Sequence, residues 1–289
     1  MLKKVLLHFF FAWSRRFLPG RLYRARDKLF SVFGIHIKDM FIPIGNTFMY
    51  IDTNNYHERD IFTFGSFEPG TTRFLKKFIS SLTDSVVVDI GANICIHTLT
   101  MCEARRPGEG VSVIAIEPNP DMVFRLKRNL RINNFQQVHV CQLGASAGAE
   151  HIHLGLPYAD GCSEYHYPGI ASMVQVDRAV RLIEVECRSI DDIVRGFGFS
   201  ADKVGLVKMD VEGKELDALH GMKDILRDSD AAIIIEYNNS IFHECKEFLE
   251  VYGFSVVGSL VSYGIDSTVL AENVCFMEST ASDKALVGH

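Results

Sequence analysis

The chain reads as a three-layer α/β sandwich, a mostly parallel seven-stranded sheet between helices, preceded by an N-terminal cap. Three observations predict it. Short continuous apolar runs, among them Val86–Val88, Val113–Ile116 and Val204–Val207, have the length and composition of strands buried on both faces. The segments between them are long enough for crossover helices. Several runs end in an acid beside a turn former, as in Asp89-Ile90-Gly91 and Glu117-Pro118, and such strand ends open onto a ligand crevice in this kind of sheet.

Taken in order, residues 1–39 make a basic, aromatic arm, 40–82 a cap, 83–278 the main domain and 279–289 a flexible tail. Phe41, Pro43, Phe48 and Tyr50 around Gly45-Asn46 predict a hairpin, and Glu68-Pro69-Gly70 breaks the chain before a helix over 71–80. Strand 86–90 leads through a helix over 94–105 to strand 112–116. Pro120 then opens an amphipathic helix that Asn133-Asn134 stops. Strand 138–143 ends in a turn, Gly144-Ala145-Ser146, whose small residues leave room for a planar ring. Residues 150–154 alternate as an exposed strand. The stretch 155–181 is rich in Gly, Pro, Tyr and His without a sustained period, and its length predicts a substrate-side lid. Strand 182–187, helix 190–196, strand 204–210, one helix from 214 to about 226, strand 231–236 and helix 241–252 follow. Residues 254–257 and 274–277 close the sheet as an antiparallel edge pair.

A length of 289 residues with 47% hydrophobic content supports one large domain. Seven cysteines, scattered without a C-x-x-C pair, argue against a disulfide framework and a structural zinc site, and predict reduced thiols in a cytoplasmic setting. Net charge is −6, yet residues 1–28 hold eight Lys or Arg against one acid, a surplus of seven that leaves −13 for the remainder. An acidic body excludes general nucleic-acid binding. The uncharged run Val5 to Ser14 is about half the ~20 residues a spanning helix needs. A charged start and apolar middle fit a secretory signal, but Arg15 and Arg16 stand where a small-x-small cleavage site belongs. The arm is read as a helix packed on the domain, with peripheral membrane contact through Phe9, Phe10, Phe11 and Trp13 as the alternative.

Gly91 permits a sharp turn and close approach, Asp89 can brace that turn, and Glu117 can accept both hydroxyls of a ribose. Only one of the three glycines of a dinucleotide fingerprint is present, with Asn93 and Ile96 in the other places, so a nucleoside without pyrophosphate is expected. Four ordered motifs then resemble one family. Asp89-Ile-Gly-Ala-Asn93, Glu117-Pro-Asn-Pro120, Lys208-Met-Asp-Val-Glu-Gly-Lys-Glu215 and Ile234-Ile-Glu236 together look like the FkbM family of class I, Rossmann-like S-adenosylmethionine-dependent methyltransferases, over about residues 60–277. The resemblance implies S-adenosylmethionine as cofactor and methyl transfer to a hydroxyl of a sugar, a glycan or a polyketide-type metabolite. It places the cofactor against Glu68, Asp89, Gly91, Asn93, Glu117, Pro118, Gly144, Ala145 and Asp210. Cys95 stands where the family usually has a second glycine; its side chain is expected to crowd the backbone close to the methionyl carboxylate, and to be tolerated because it is small.

Methyl transfer to a hydroxyl needs alignment and removal of a proton. The candidate bases are Asp210 first, then Glu212 and Glu236, all at strand ends; Glu212 also fits a helix N-terminus. Asp210, Glu236 and Asn238 offer hard oxygen ligands for a divalent metal, which is weighed but not expected. His151 and His153 read as a surface pair, His97 as packed or solvated, Glu215 as structural, and His57 with Glu58 as a minor candidate for acceptor contact. Two other function classes compete: a non-catalytic cofactor-binding or membrane-associated scaffold, motivated by Cys95 and the arm, and a nicotinamide oxidoreductase, which the missing glycines disfavour.

Overall fold

The computed structural model describes residues 38–53, 55, 58–59, 61–62, 65, 67–106, 108–135, 137–156, 181–237, 240–261, 264–266 and 273–278. The arm to residue 37, most of the predicted lid, the tail, His57 and Asn238 lie outside them. The chain runs through β1 (Met40–Ile44), β2 (Thr47–Ile51), α1 (Pro69–Ile79), β3 (Val86–Ile90), α2 (Ile96–Ala104), β4 (Ser112–Ile116), α3 (Pro120–Ile132), β5 (Val138–Cys141), β6 (Gly144–Ala145), β7 (Glu150–Leu156) and β8 (Arg181–Arg188). It continues through α4 (Ile190–Gly196), β9 (Val204–Met209), α5 (Glu215–His220), α6 (Lys223–Asp228), β10 (Ala232–Glu236), α7 (Phe242–Val251), β11 (Phe254–Val261), β12 (Gly264–Asp266) and β13 (Asn273–Glu278).

The main sheet has the order β12-β11-β13-β10-β9-β3-β4-β5. Strands β10, β9, β3, β4 and β5 are parallel, and β13, β11 and β12 pair antiparallel at one edge. The short β12 extends the predicted seven strands to eight. Alternation along the parallel strands divides the core in two. Val87, Val113, Ala115, Leu206 and Ile234 pack with Leu75, Leu99 and Leu126 of α1, α2 and α3 on one face. Val86, Val88, Ile114, Val207 and Ile233 pack with Ile193, Leu219, Ile225 and Leu249 of α4 to α7 on the other. Strands covered on both sides have no polar face, which is why they read as unbroken apolar runs.

Two local expectations are corrected. Gly144-Ala145 is not a free turn: it forms β6, which pairs parallel with Cys187 and Arg188 in a separate small sheet of order β6-β8-β7. The predicted single helix over 214–226 is broken into α5 and α6 at Gly221-Met222. An acceptor from outside the segment causes the break, because the carboxylate of Asp191 accepts the backbone N–H groups of Asp224 and Ile225 and so starts a second helix there. Asn119, by contrast, caps α3 from next door, accepting Asp121 N–H at 3.0 Å, with Pro120 in the first turn.

The hairpin is clamped to the domain by polar side chains of α3. Asn129 Oδ1 accepts Tyr50 N–H at 2.8 Å and its Nδ2 donates to Ile94 O at 3.1 Å, while Asn133 exchanges bonds of 2.7 and 2.6 Å with Phe48. Glu58 is buried in an ion pair with Arg125 and accepts Asp52 N–H, so it is structural and makes no approach to an acceptor. Among the described residues no helix is long and apolar enough to cross a membrane. Asn129 is fully buried, so Asn129→Ala leaves Tyr50 N–H and Ile94 C=O without partners and should cost about 2–3 kcal/mol in urea unfolding. A loss under about 0.5 kcal/mol would mean that the clamp carries little of the stability.

Candidate active site

The site begins at the turn after β3. Gly91 adopts φ +75°, and a Cβ built on it would stand 1.8 Å from the carbonyl oxygen of Asp210. The close approach that this glycine permits is to the end of β9, which Asp210 N–H binds at Ile90 O, 3.1 Å away. Asp210 is thereby fixed against the turn. Cys95 sits at φ +81°, a conformation that costs a non-glycine residue roughly 1–2 kcal/mol. Its side chain is fully buried in the core with Leu99 and Leu126 and is not among the residues that line the crevice. The departure from glycine is borne by the backbone.

Two adjoining clefts lie across the carboxyl ends of β3, β4, β9 and β10 and share Gly91, Asn93, Asp210 and Glu212 as walls. They form one crevice in two halves. In the first, Glu117 and Pro118 stand beside Met122, Leu143, Gly144, Ala145 and Leu154. The two carboxylate oxygens of Glu117 accept Asn93 N–H and Asn119 N–H, each at 2.9 Å. Burial pushes the Glu117 carboxyl up to about 7 against the pull of those bonds, and Asp210 and Asp89 add to the rise.

The second half is dense in charge. It is lined by Glu68, Asp89, His97, Lys208, Asp210, Glu212 and Glu236. Lys208 is only 2% exposed, and its Nζ lies 3.1 Å from Asp210 Oδ2. Burial alone would lower its pKa, but Asp210, Asp89 and Glu68 outweigh that and raise it. Glu68 occupies the N-cap position of α1 in a left-handed conformation, yet its side chain makes no cap. Instead it accepts His97 Nε2 at 3.0 Å and Asn273 Nδ2 at 2.7 Å. Burial would raise the Glu68 carboxyl, but the His97 bond and charge and the Lys208 ammonium hold it down at about 2. Glu212 is pushed up to about 7 by burial and by Asp210 and Glu215. Glu236 rises to about 8 through burial, the charges of Asp210 and Glu212, and a hydrogen bond with Asp210.

Asp89 Oδ2 accepts the Thr98 hydroxyl at 2.6 Å, so it braces α2 more than the turn, while its buried Oδ1 has no partner among the described residues. Glu215 accepts the N–H groups of Val211 and Gly213 and is structural. His151 and His153 are exposed on β7. His97, expected to be packed or solvated, is buried but bonded to Glu68 at the crevice wall. Two residues were missed. Lys208 carried a signal, since a lysine inside an apolar strand must find buried partners. Asn273 carried none, because only the sheet order brings β13 to Glu68.

A glycine turn, a buried acid at the next strand end and further acids across the crevice are the features of a class I S-adenosylmethionine-dependent methyltransferase. The methyltransferase FkbM domain matches residues 89–256, more than half of the chain, and the chain belongs to that family. It is 28% identical over 186 residues to Methyltransferase 1 of Beauveria bassiana (strain ARSEF 2860), covering 60% of this chain and 73% of the relative. It is 24% identical over 213 residues to Methyltransferase sdnD of Sordaria araneosa, covering 62% and 77%. Among solved structures it is similar to methyltransferase FkbM from Methylobacillus flagellatus KT, at 18% identity and a TM-score of 0.42 over 75% of this chain. It spans about half, 52%, of that protein's chain.

The raised Glu117 carboxyl has a measurable consequence. A carboxyl that takes up its proton more readily when folded stabilises the fold below its unfolded value of 4.5, and that contribution is lost as pH rises through about 7. Raising the pH from about 4.5 to about 8 should therefore cost the wild type on the order of 3 kcal/mol more unfolding free energy than it costs Glu117→Gln. Parallel pH profiles for the two proteins, measured by urea unfolding without ligand, would contradict this.

Proposed function

We propose that this methyltransferase acts on a hydroxyl group of a small-molecule acceptor, a sugar or glycan or a polyketide-type metabolite. The observation that carries the reading is Asp210, a carboxylate on the wall shared by both halves of the crevice, with the Lys208 ammonium at 3.1 Å and Glu236 in hydrogen-bond reach. The residues present fit S-adenosylmethionine. Glu117 stands ready for the ribose diol, and Met122, Leu143, Ala145 and Leu154 offer apolar walls to the adenine. Glu68, held as an anion, and the unpartnered Oδ1 of Asp89 suit the methionyl ammonium. When bound, the cofactor supplies a methyl group on a sulfonium sulfur, electrophilic toward an oxygen lone pair.

The chain's own residues supply position and a proton acceptor. Asp210 takes the acceptor's hydroxyl proton as the new carbon–oxygen bond forms and the carbon–sulfur bond breaks. Lys208 aims that carboxylate, and Glu236, which keeps its proton up to about pH 8, donates a hydrogen bond to it or to the acceptor. Glu212 closes the rim between the two halves. Lys208 sets a cation 3.1 Å from Asp210, one of the three residues weighed as metal ligands, and Asn238, another of them, lies outside the described residues. Among the described residues no group of three or more His, Cys, Asp or Glu side chains is arranged to hold a metal.

Asp210→Asn keeps the size and one acceptor oxygen but removes the base, so kcat should fall roughly 10²-fold or more while S-adenosylmethionine affinity stays within a few-fold. Turnover near the wild-type level with an intact fold would reduce Asp210 to a turn residue. Activity restored by added Mg²⁺ or Mn²⁺ would replace the direct base with a metal-assisted one.

A further inference from the structure

The outer face of the hairpin is built differently from an ordinary solvated strand pair. Met40, Ile42, Met49 and Ile51 turn into the core, and strict alternation sends Phe41, Pro43, Phe48 and Tyr50 outward. An outward face normally carries polar side chains. Here Phe41 and Phe48 are 46% and 44% exposed and stack with ring centroids 5.1 Å apart. Helix α3 continues the surface. Its Phe124 is 70% exposed, Lys127 and Arg131 are exposed on the same helix face, and the Arg128 guanidinium lies 3.6 Å from the Tyr50 ring centroid. With exposed Lys38, the face carries four basic side chains against Asp39 and Asp121, and Asp39 is paired with Arg128. This basic, aromatic surface belongs to a chain whose net charge is −6.

We propose that this face is a docking surface for an anionic lipid membrane. Phe41, Phe48 and Phe124 enter the headgroup boundary, and Lys38, Lys127, Arg128 and Arg131 meet acidic headgroups. Charge selects this occupant over two others. The chain preceding β1 is itself basic, with eight Lys or Arg and one acid over residues 1–28. It is therefore repelled by the face, and both are drawn to the same anionic surface. A second copy is disfavoured as well, because a two-fold contact would set one basic face against another.

The test is co-sedimentation of the full chain with large unilamellar vesicles of phosphatidylcholine containing about 30% phosphatidylserine, compared with phosphatidylcholine alone, at about 0.05 M and 0.5 M salt. The wild type should bind the anionic vesicles at low salt and leave them at high salt. Phe41→Ser/Phe48→Ser/Phe124→Ser and, separately, Lys127→Glu/Arg131→Glu should each lower the partition coefficient roughly tenfold or more. Circular dichroism should remain unchanged, since all five positions are exposed; should the triple variant fail to fold, the charge-reversal variant decides. Wild-type protein that stays in the supernatant, or variants that bind as the wild type does, would overturn the proposal. A wild-type dimer by light scattering that both variants reduce to a monomer, with no vesicle binding, would assign the face to a second copy instead.

Discussion

The structure of the crevice depends on one buried cation. Lys208 lies near the carboxyl end of β9, in a strand otherwise without polar side chains, and taking its ammonium out of water costs several kcal/mol unless partners replace the solvent. Asp210, 3.1 Å away, is its direct partner, and the charges of Asp89 and Glu68 favour the ammonium from the end of β3 and the start of α1. Satisfying one lysine therefore ties the two central strands to the first helix of the cap. Glu68 itself adopts a left-handed backbone and forgoes capping its own helix. Its carboxylate is held instead by His97 and Asn273, in the field of Lys208.

Beyond that cluster the crevice holds more negative charge than it neutralises. Glu117, Glu212 and Glu236 all hold protons above their ordinary range because burial and neighbouring carboxylates oppose their ionisation. Such a cavity favours a cationic occupant, and a ligand bearing an ammonium and a sulfonium would meet that preference in the second half. The same excess of acids disfavours phosphate, in agreement with the missing glycines of a dinucleotide loop. Near neutral pH these groups are poised so that ligand charge and carboxyl protonation are linked.

Much of this was legible in the sequence, for a physical reason. Strands covered on both faces announce themselves as apolar runs, and acids at their carboxyl ends stand out against that background, so the turn at Gly91, Glu117 and Asp210 could be placed together before any coordinates. Features that depend on distant partners could not. The break between α5 and α6 follows from Asp191, some thirty residues away; the strand at Gly144-Ala145 follows from pairing with β8; and the role of Asn273 follows from sheet order alone. Cys95 has the same limit: local sequence shows which residue departs from a pattern but not which way its side chain turns. Lys208 differs from these, since a lone lysine in a buried strand already implies acids around it.

The central claim is that the two halves of the crevice form one methyl-transfer site, with the nucleoside at Glu117 and the chemistry at Asp210. A crystal structure with S-adenosylhomocysteine tests it most directly. The account predicts the ribose diol within hydrogen-bond distance of the Glu117 carboxylate, the adenine against Met122, Leu143, Ala145 and Leu154, and the sulfur directed into the half lined by Lys208, Asp210 and Glu236. A ligand that leaves Glu117 without contact, or that lies with its sulfur away from Asp210, would contradict it.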